Sequence, residues 1–420
     1  MNASEMKQLL MSEGSPLNNV YSEHELKEET ERWTALLDHF TDQDADVHLF
    51  SAPGRTEIGG NHTDHQNGRV LAAAISLDTA GAACRTDDMK VVYESSGYTV
   101  RPVDLTDLSV REEEKNTTES LIRGIAAGFV NRGYKIGGLK IYAESQVLPG
   151  SGMSSSAAFE VLIGTIFSGL YNEGKVTPVE IAIIGQYAEN VYFGKGSGLM
   201  DQTASACGGC VAIDFDDPAL PDIERLDWDL EKDHLSLVLT DCKQSHADLS
   251  GEYTEIPEEM YAAARICGAE KLHKVTMEDL LKHAKEIREQ AGDRSFLRAY
   301  HFLNETQRAK QEADALRSGN TDELLRLIKE SGTSSWKYLQ NICVPADKKH
   351  QSLAVGLALS EEVLKDRGAY RVHGGGFAGT IQAFVPDDLL EAYISLMESV
   401  FGKGCSYVLR IREAGGVMIR

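Results

Sequence analysis

Basic residues are scarce in this sequence relative to acidic ones. The 420 residues include 42 Lys and Arg against 65 Asp and Glu, which gives a formal net charge of −23. Nucleic acids and anionic membrane surfaces are bound through Lys and Arg that neutralise phosphates, so the charge argues against both partners. It leaves room for a small anionic ligand, because a glycine-rich loop and a single Arg can dominate the field locally.

The sequence also lacks long apolar runs, and its number of cysteines is odd. No segment reaches the roughly 20 apolar residues of a transmembrane helix, and the opening MNASEMKQLL lacks the apolar core of a signal peptide. The seven cysteines are scattered and odd in number, which is typical of free thiols in a reducing compartment. These features predict a cytoplasmic protein.

Three familiar catalytic signatures are missing as well. There is no Walker A sequence, since Gly194-Lys195 is followed by Gly196, and there is neither a G-x-S-x-G nor an H-E-x-x-H motif. The run from Gly374 to Gly379 does spell G-x-G-x-x-G. A dinucleotide site needs a helix after that motif, whereas a strand-like segment follows here. The usual anchors of hydrolases and dinucleotide-binding enzymes are therefore excluded.

The most informative stretch that is present is Val147–Ala158, VLPGSGMSSSAA. A strand-like segment, Leu139–Ala143, precedes it, and a helical apolar run, Ala157–Leu170, follows it. Glycines let the backbone approach a ligand closely. The first turn of a helix offers unpaired N–H groups and a partial positive charge. This order predicts an anion site, most often for phosphate, with a plain helix N-cap as the alternative.

A second stretch, APGRTEIGGNHTDHQNG at Ala52–Gly68, lies between two strand-like segments. Its Arg, Glu, Asn, His and Asp side chains are suited to binding sugar hydroxyls, and polar loops between buried strands often carry binding residues. A surface turn is one alternative. A metal site at His62-x-Asp64-His65 is another, although no further His or Cys cluster completes its ligand set.

A third stretch, FGKGSGLMDQTAS at Phe193–Ser205, places Asp201 after a glycine turn among small and apolar residues. Such an Asp is either a base held partly out of water or the N-cap of the next helix. A phosphate loop without a Walker lysine, an Arg-bearing polar loop and this Asp together predict phosphoryl transfer. That reaction needs positioning, neutralisation of charge by a metal and cations, and a group that orients the nucleophile.

These three stretches resemble the signatures of the GHMP small-molecule kinases, and within that family they are most similar to the galactokinases. SGEY at Ser250–Tyr253 and YRVHGGGFAGTIQAFV at Tyr370–Val385 fit two later segments of the family. The resemblance implies an α/β (α+β) fold of two domains with mixed sheets, helices and an active site in the cleft between the domains. We expect an N-terminal domain, 1–215, with the sugar loop (Ala52–Gly68) and the ATP loop, or glycine–serine loop (Val147–Ala158). A C-terminal domain, 216–420, would have a ferredoxin-like sheet and extra helices.

The resemblance also implies roles for individual residues. Asp201 would be the catalytic base for the anomeric hydroxyl of a sugar, and Arg55 would stabilise the transition state. Mg²⁺, bound with ATP as co-substrate, would be held by Ser156 and Glu189. The implied contacts are, for the sugar, Asn61, His62, Thr63, Asp64 and Tyr253, and, for ATP, Gly150, Ser151, Gly152, Met153, Ser154, Ser155, Ser156 and Ser95.

The expected activity is transfer of a phosphoryl group from ATP to C1 of a sugar, galactose first of all, by a monomer or weak homodimer. Asn61 and His65 stand where galactokinases usually have Glu and Tyr, and Glu57 stands where they usually have Asn. A neutral Asn donates as well as accepts, and would tolerate a C6 carboxylate that Glu would repel. Kinases for galacturonate or N-acetylgalactosamine are therefore alternatives. A non-catalytic sugar sensor is a third, against which the intact run Ser154–Ala158 argues.

Overall fold

The structure is a computed structural model that describes residues 1–96, 98–147, 152–243 and 249–420. No helix in these ranges is both long enough and apolar enough to span a bilayer. Its strands are β1 (His48–Gly59), β2 (Arg69–Thr86), β3 (Lys90–Ser95), β4 (Tyr98–Thr99), β5 (Val103–Asp104), β6 (Gly138–Ser145), β7 (Cys210–Asp214), β8 (Asp222–Leu226), β9 (Leu235–Asp241), β10 (Ala369–Val372), β11 (Thr380–Pro386), β12 (Ser406–Leu409) and β13 (Val417–Met418).

The α-helices of the described ranges are α1 (Ala3–Leu10), α2 (Leu26–Leu37), α3 (Thr118–Asn131), α4 (Ser155–Asn172), α5 (Pro178–Tyr187), α6 (Met200–Cys207), α7 (Ser250–Ile266), α8 (Met277–Lys282), α9 (Ala284–Gln290), α10 (Asp293–Arg317), α11 (Thr321–Ser334), α12 (Ser352–Leu364) and α13 (Leu390–Phe401).

A nine-stranded mixed sheet is built around β1 and β2. These two strands pair antiparallel from His48–Ala83 to Gly59–Leu71, and β2 also pairs with β6 and β7. The sequence of β2 is a nearly continuous run of small apolar residues because both faces of the strand are covered. Ala72 lies in one apolar core with Phe167 of α4, whereas Ala73 lies in another with Ala313 of α10.

A second sheet of four antiparallel strands has the order β10-β11-β9-β12. Helices connect β9 to β10 and β11 to β12, so its connectivity is that of a ferredoxin-like β-α-β-β-α-β unit. The long helix α10 contacts β1 and β2 of the first sheet as well as α7 and α11. It therefore joins the two halves of the molecule, and the mixed α/β architecture agrees with the fold class expected from the sequence.

The segment between the halves differs from the sequence prediction. The residues that follow the boundary expected at 215 contribute β8, which pairs with β7 of the first sheet. Three of the five side chains of β8 are exposed, so the strand has little of the apolar pattern that would have indicated it. β13 also returns to this sheet and pairs with β1. We therefore propose a division near residue 226, rather than 215, with the last strand belonging to the first half.

Pro53 and Gly54 lie within β1, so this strand extends into the stretch Ala52–Gly68, which the sequence predicts as a polar loop between two strands. The pairing of β1 with β2 shifts register between Pro53 and Arg55 and again between Glu57 and Gly59. Bulges of this kind absorb a proline or glycine while the ladder continues. Arg55 and Glu57 consequently lie on a buried strand rather than on a loop, which fixes their side chains more firmly.

A buried ionic cluster ties the N-terminal helices to the first sheet. Asp78 accepts hydrogen bonds from the hydroxyls of Tyr21 (2.6 Å) and Ser51, and pairs with the guanidinium groups of Arg32 (2.6 Å) and Arg412 (2.8 Å). Burial alone would raise the pKa of Asp78, but the charges of the two arginines outweigh it and lower the pKa to about 2. The carboxylate is therefore ionised at neutral pH and holds three segments together.

Replacing Asp78 by Asn should reduce the free energy of unfolding by about 3–5 kcal/mol, because the buried guanidinium of Arg412 loses its carboxylate partner and that of Arg32 keeps only Glu29, at 2.8 Å. Urea denaturation followed by circular dichroism measures this loss. The matched control is Asp38→Asn: Asp38 pairs with Lys7, but its side chain is 70% exposed, and we expect a loss of about 0–1 kcal/mol. Similar losses in both variants would contradict the stabilising role of the cluster.

Candidate active site

The glycine–serine loop leads into a helix whose N-terminus has no side-chain cap. Ser154 occupies the N-cap position of α4 with a left-handed backbone (φ 58°), and its hydroxyl makes no cap hydrogen bond. The hydroxyl donates instead to the carboxylate of Asp201. The N–H groups of the first turn of α4 therefore have no side-chain cap, and the anion site predicted there stays a prediction.

Only part of the predicted ATP loop can be placed. Gly150 and Ser151 lie outside the described residues, so their ATP contacts stay predictions. Gly152 has a φ of 75°, and a Cβ there would lie 3.0 Å from Nδ1 of His373, so this position requires glycine. The side chain of Met153 is buried in the apolar core, and its carbonyl accepts from the backbone N–H of Arg55 at 3.1 Å. Met153 therefore offers its backbone rather than its side chain to the loop.

Arg55 and Asp201 form a bidentate ion pair that brings the three informative stretches together. Nε of Arg55 lies 2.7 Å from Oδ1 of Asp201, and Nη2 lies 2.8 Å from Oδ2. The remaining Nη1 donates to the carbonyl of Gly152. Arg55 stands on β1, Gly152 precedes α4, and Asp201 lies in the first turn of α6. The pair thus brings β1, the start of α4 and the start of α6 into contact.

The carboxylate of Asp201 is ionised and reaches the surface of the site. The N-cap of α6 is Leu199, with no side-chain cap hydrogen bond, so Asp201 is not used as a helix cap. Burial alone would raise the pKa of Asp201, but the charge and hydrogen bonds of Arg55 and the hydroxyl of Ser154 lower it. The side chain of Arg55 is 6% exposed, whereas that of Asp201 is 32% exposed. Asp201 can therefore accept a hydrogen bond from a ligand.

A second acidic group lies beside the first turn of α4. Glu189, on a π-helical extension of α5 (Ala188–Phe193), accepts from the hydroxyl of Ser156 at 3.3 Å and from the ammonium of Lys195 at 2.9 Å. The amide nitrogen of Gln202 bridges Glu189 (3.0 Å) and the buried Glu160 (2.9 Å). Burial, followed by the charge of Glu189, raises the pKa of Glu160 well above its ordinary value. Acidic groups are thus concentrated at this point.

The donor set at Glu189 fits a metal ion that is bound together with a phosphorylated ligand. A serine hydroxyl and a carboxylate are hard oxygen donors, and Mg²⁺ commonly takes one or two such protein ligands plus phosphate oxygens and waters. In the described ranges, no group of three or more His, Cys, Asp or Glu side chains is arranged to hold a metal alone. The alternative metal site at His62, Asp64 and His65 therefore has no support from the geometry.

The predicted sugar loop packs against the glycine turn at 374–376. Nε2 of His62 lies 3.1 Å from the carbonyl oxygen of Gly375, and burial lowers the pKa of His62 to about 3, so the ring is neutral. The hydroxyl of Tyr253 donates to the carbonyl of Gly376 at 2.9 Å. Thr63 is buried, and its hydroxyl donates within the loop to the carbonyl of Gly60 at 2.8 Å. Backbone carbonyls of the second half thus fix the loop.

Asp64 meets the turn that carries Asp201. The carboxylate of Asp64 accepts from the backbone N–H of His65 at 3.0 Å. A Cβ added to Gly198 would lie 1.6 Å from Oδ2 of Asp64, so the two segments are in direct contact. The structure therefore places Asp64 next to the turn on which Asp201 is carried.

The amide of Asn61 is fully used inside the protein. It donates to Oε1 of Glu57 and to the carbonyl of Gly374, both at 2.9 Å, and its oxygen accepts from Ser335 (3.2 Å) and Asn341 (2.9 Å). These contacts occupy both donors and both lone pairs. The arrangement differs from the expectation that Asn61 faces the sugar, since a direct contact would require it to give up one of these bonds.

Glu57, which accepts a hydrogen bond from Asn61, is itself held by an ion pair. Its carboxylate is buried and lies 2.5 Å from Nη2 of Arg371, whose side chain is also buried. Arg371 stands on β10 and donates further to the carbonyl of Ile58 at 2.6 Å. This ion pair therefore joins the strand of the sugar loop to the second sheet.

His373 lies in the segment Tyr370–Val385, but the sequence does not indicate its role in the site. His373 is buried against Gly152 and bridges Thr380 (Nδ1, 3.0 Å) and Thr56 (Nε2, 3.1 Å). Burial and then Arg55 lower its pKa well below the ordinary value, so the ring is neutral. Ser95, by contrast, lies at the end of β3 opposite Ala143 of β6, and its contact with ATP stays a prediction.

Two family models together match all three of the stretches singled out by sequence. The model of the GHMP kinase N-terminal domain matches residues 120–209, which include the glycine–serine loop and the turn with Asp201. The model of the galactokinase galactose-binding signature matches residues 37–85, which include the sugar loop. Both matches therefore fall on the elements that meet at the ion pair of Arg55 and Asp201.

A curated relative and two solved structures extend the match to most of the chain. A galactokinase of Streptomyces coelicolor is 28% identical over 369 residues, which cover 87% of this chain and 92% of that protein. The structure of Lactococcus lactis galactokinase complexed with galactose matches with a TM-score of 0.78 and 23% identity, over 93% of this chain and 99% of that one. Mevalonate kinase of Methanococcus jannaschii matches at 0.61 and 14% identity, over 87% and 98% of the two chains.

The two structures confirm the mixed α/β fold expected from the sequence. The family models and the curated relative also show which known kinases the loops of this fold are similar to. On this combined evidence, the chain is similar to the GHMP kinases, galactokinases among them, and is a phosphotransferase enzyme.

Proposed function

We propose that the protein transfers the terminal phosphoryl group of ATP to the C1 hydroxyl of galactose and releases galactose 1-phosphate and ADP. The observation that carries this proposal is the meeting of the Arg55–Asp201 pair with the uncapped N-terminus of α4. The match to a galactose-binding signature and the relative named a galactokinase support galactose as the sugar.

In the proposed reaction, Asp201 receives the proton of the sugar hydroxyl. The O–H bond breaks, the hydroxyl oxygen bonds to the terminal phosphorus, and the bond from phosphorus to the ADP oxygen breaks. Arg55 makes Asp201 a weak base, so the carboxylate first orients the hydroxyl and takes up the proton late, which suits a loose transition state. Arg55 itself offers a fixed positive charge as negative charge shifts toward the leaving group.

The nucleotide phosphates would lie at the N-terminus of α4, where the N–H groups and the helix dipole favour anions. Ser156 and Glu189 would hold Mg²⁺, which, when bound, neutralises part of the phosphate charge. The described elements of the loop have two further tasks. Gly152 allows close approach to His373, and Ser154 directs its hydroxyl to Asp201.

The sugar would be held by the loop between β1 and β2. Asp64 offers a carboxylate acceptor for sugar hydroxyls. His62 and Tyr253 both contact the glycine turn at 374–376, which packs against this loop. The case for a uronic acid depended on a neutral amide facing C6. Because the Asn61 amide is engaged with Glu57 and Gly374, that case is weakened, and we place galactose ahead of galacturonate.

Replacing Asp201 by Asn should reduce kcat for sugar-dependent ADP release at least about 100-fold, because the acceptor of the hydroxyl proton is lost. The matched control is Asp214→Asn. Asp214 lies outside the site and pairs with Nε of Arg69 at 2.7 Å, the distance that also separates Asp201 from Nε of Arg55. The kcat of the Asp214 variant should stay near that of the unmodified protein. Circular dichroism verifies that both variants are folded. Normal turnover in the Asp201 variant would show that Asp201 is not the acceptor of the hydroxyl proton.

Replacing Gly198 by Ala should weaken sugar binding while sparing ATP, since the new Cβ displaces the carboxylate of Asp64. The loss of a hydrogen bond to a charged group, about 1.5–3 kcal/mol, corresponds to a rise in the KM for sugar of roughly 10–100-fold. Gly196→Ala is the control in the same turn, because a Cβ there meets no atom within 4 Å. Parallel rises in the KM for sugar and for ATP would argue against a specific sugar contact.

A panel of galactose, galacturonate, N-acetylgalactosamine and glucose in one coupled ADP-release assay should give the highest kcat/KM for galactose. A site that hydrogen-bonds particular hydroxyls rejects sugars that lack them or reverse their orientation. A preference for galacturonate would replace the proposed substrate but keep the reaction. Binding of galactose and ATP by calorimetry without any ADP release would indicate a sugar sensor and overturn the proposal.

A further inference from the structure

The glycine turn after Glu189 carries an ammonium group that the proposed reaction does not use. The backbone N–H groups of Gly194 and Lys195 both donate to the backbone carbonyl of Glu189, at 3.0 and 3.1 Å. Gly194 has a φ of 89°, which permits this tight return of the chain. Nζ of Lys195 then lies 2.9 Å from Oε1 of Glu189. The turn therefore places a cation on the carboxylate that we assign to the metal.

The two partners of this ion pair lie in different surroundings. The side chain of Glu189 is 3% exposed, whereas that of Lys195 is 59% exposed. A buried carboxylate without a cation is costly, and the buried Glu160 lies on the other side of Gln202. A lysine that extends through solvent loses little when it changes partner. The carboxylate of Glu189 is therefore stabilised by a nearby cation, but that cation need not be Lys195.

A metal ion and Lys195 would compete for one oxygen atom. Oε1 of Glu189 interacts with both the hydroxyl of Ser156 (3.3 Å) and the ammonium of Lys195 (2.9 Å). A metal held by Ser156 and Glu189 needs this atom, and two cations at contact distance repel each other strongly in a site with little water. Binding of the metal therefore requires the ammonium to leave.

We propose that Lys195 is an exchangeable counter-ion: it neutralises Glu189 while no metal is bound, gives up that carboxylate to Mg²⁺, and then pairs with a phosphate of the nucleotide. The backbone of Lys195 stays tethered to Glu189, and its flexible four-carbon stem lets the ammonium swing. Because Ser156 and Lys195 touch the same oxygen, the ammonium already lies beside the first turn of α4. This inference depends on the part of the proposed function that assigns Ser156 and Glu189 to the metal.

The test compares Lys195→Met with Lys195→Arg in two binding measurements. Mn²⁺ alone, followed by electron paramagnetic resonance, should bind Lys195→Met at least about 5-fold more tightly, because the competing cation is gone. ATP at saturating Mg²⁺, followed by calorimetry, should bind this variant roughly 10-fold more weakly, because the ammonium that the metal releases from Glu189 is no longer there to pair with a phosphate. Lys195→Arg keeps the charge and should stay near the unmodified protein in both.

Two further variants make the result decisive. Lys175→Met removes an exposed lysine that pairs with Glu173 away from the site, and should change neither affinity, which excludes an effect of net charge. Glu189→Gln should abolish Mn²⁺ binding; if Mn²⁺ still binds, the metal lies elsewhere and the inference is overturned. Parallel losses of both affinities in Lys195→Met, or no change in either, would also overturn it. Neither binding assay needs turnover, so failure of the proposed sugar kinase reaction would be seen separately.

Discussion

The ion pair of Arg55 and Asp201 is the point at which three distant segments of the chain are held together. Each nitrogen of the guanidinium group has a defined partner, two on Asp201 and one on Gly152. A planar fork of this kind fixes orientation as well as distance, which an ammonium group would not do. The pair thus sets the angle between β1, the start of α4 and the start of α6, and with it the geometry of the proposed phosphoryl-transfer site.

The second half of the molecule enters the site mainly through its backbone. The glycine turn at 374–376 presents carbonyl oxygens to His62, Asn61 and Tyr253. The ion pair of Glu57 on β1 and Arg371 on β10 stabilises the same contact between the sugar loop and the second half. Since carbonyl groups in a tight turn cannot change rotamer, the sugar loop is positioned by rigid acceptors. A change in the packing of β10 would therefore reach the sugar loop directly.

The parts of the candidate site that the sequence indicates are those in which the chemistry is local. Val147–Ala158 combines glycines with a helix start, and Asp201 follows a glycine turn, so each pattern can be recognised without its partners. The bulges in β1 and the exposed strand β8 were not predicted, because their signals depend on neighbouring strands. His373 and Gln202 were not predicted either, since their roles arise only when segments far apart in the chain come into contact.

The pairing of β13 with β1 has a consequence for the order of folding. Phe50 lies opposite Met418, and the backbone N–H of Ile419 donates to the carbonyl of Leu49. The edge of β1 in the first sheet is therefore covered only once a segment more than three hundred residues downstream has been synthesised. Contacts of such long range close late, because the entropy of a large loop must be lost first. The nascent first half would carry an open strand edge on the ribosome, and trimming the chain at Val417 would expose that edge permanently.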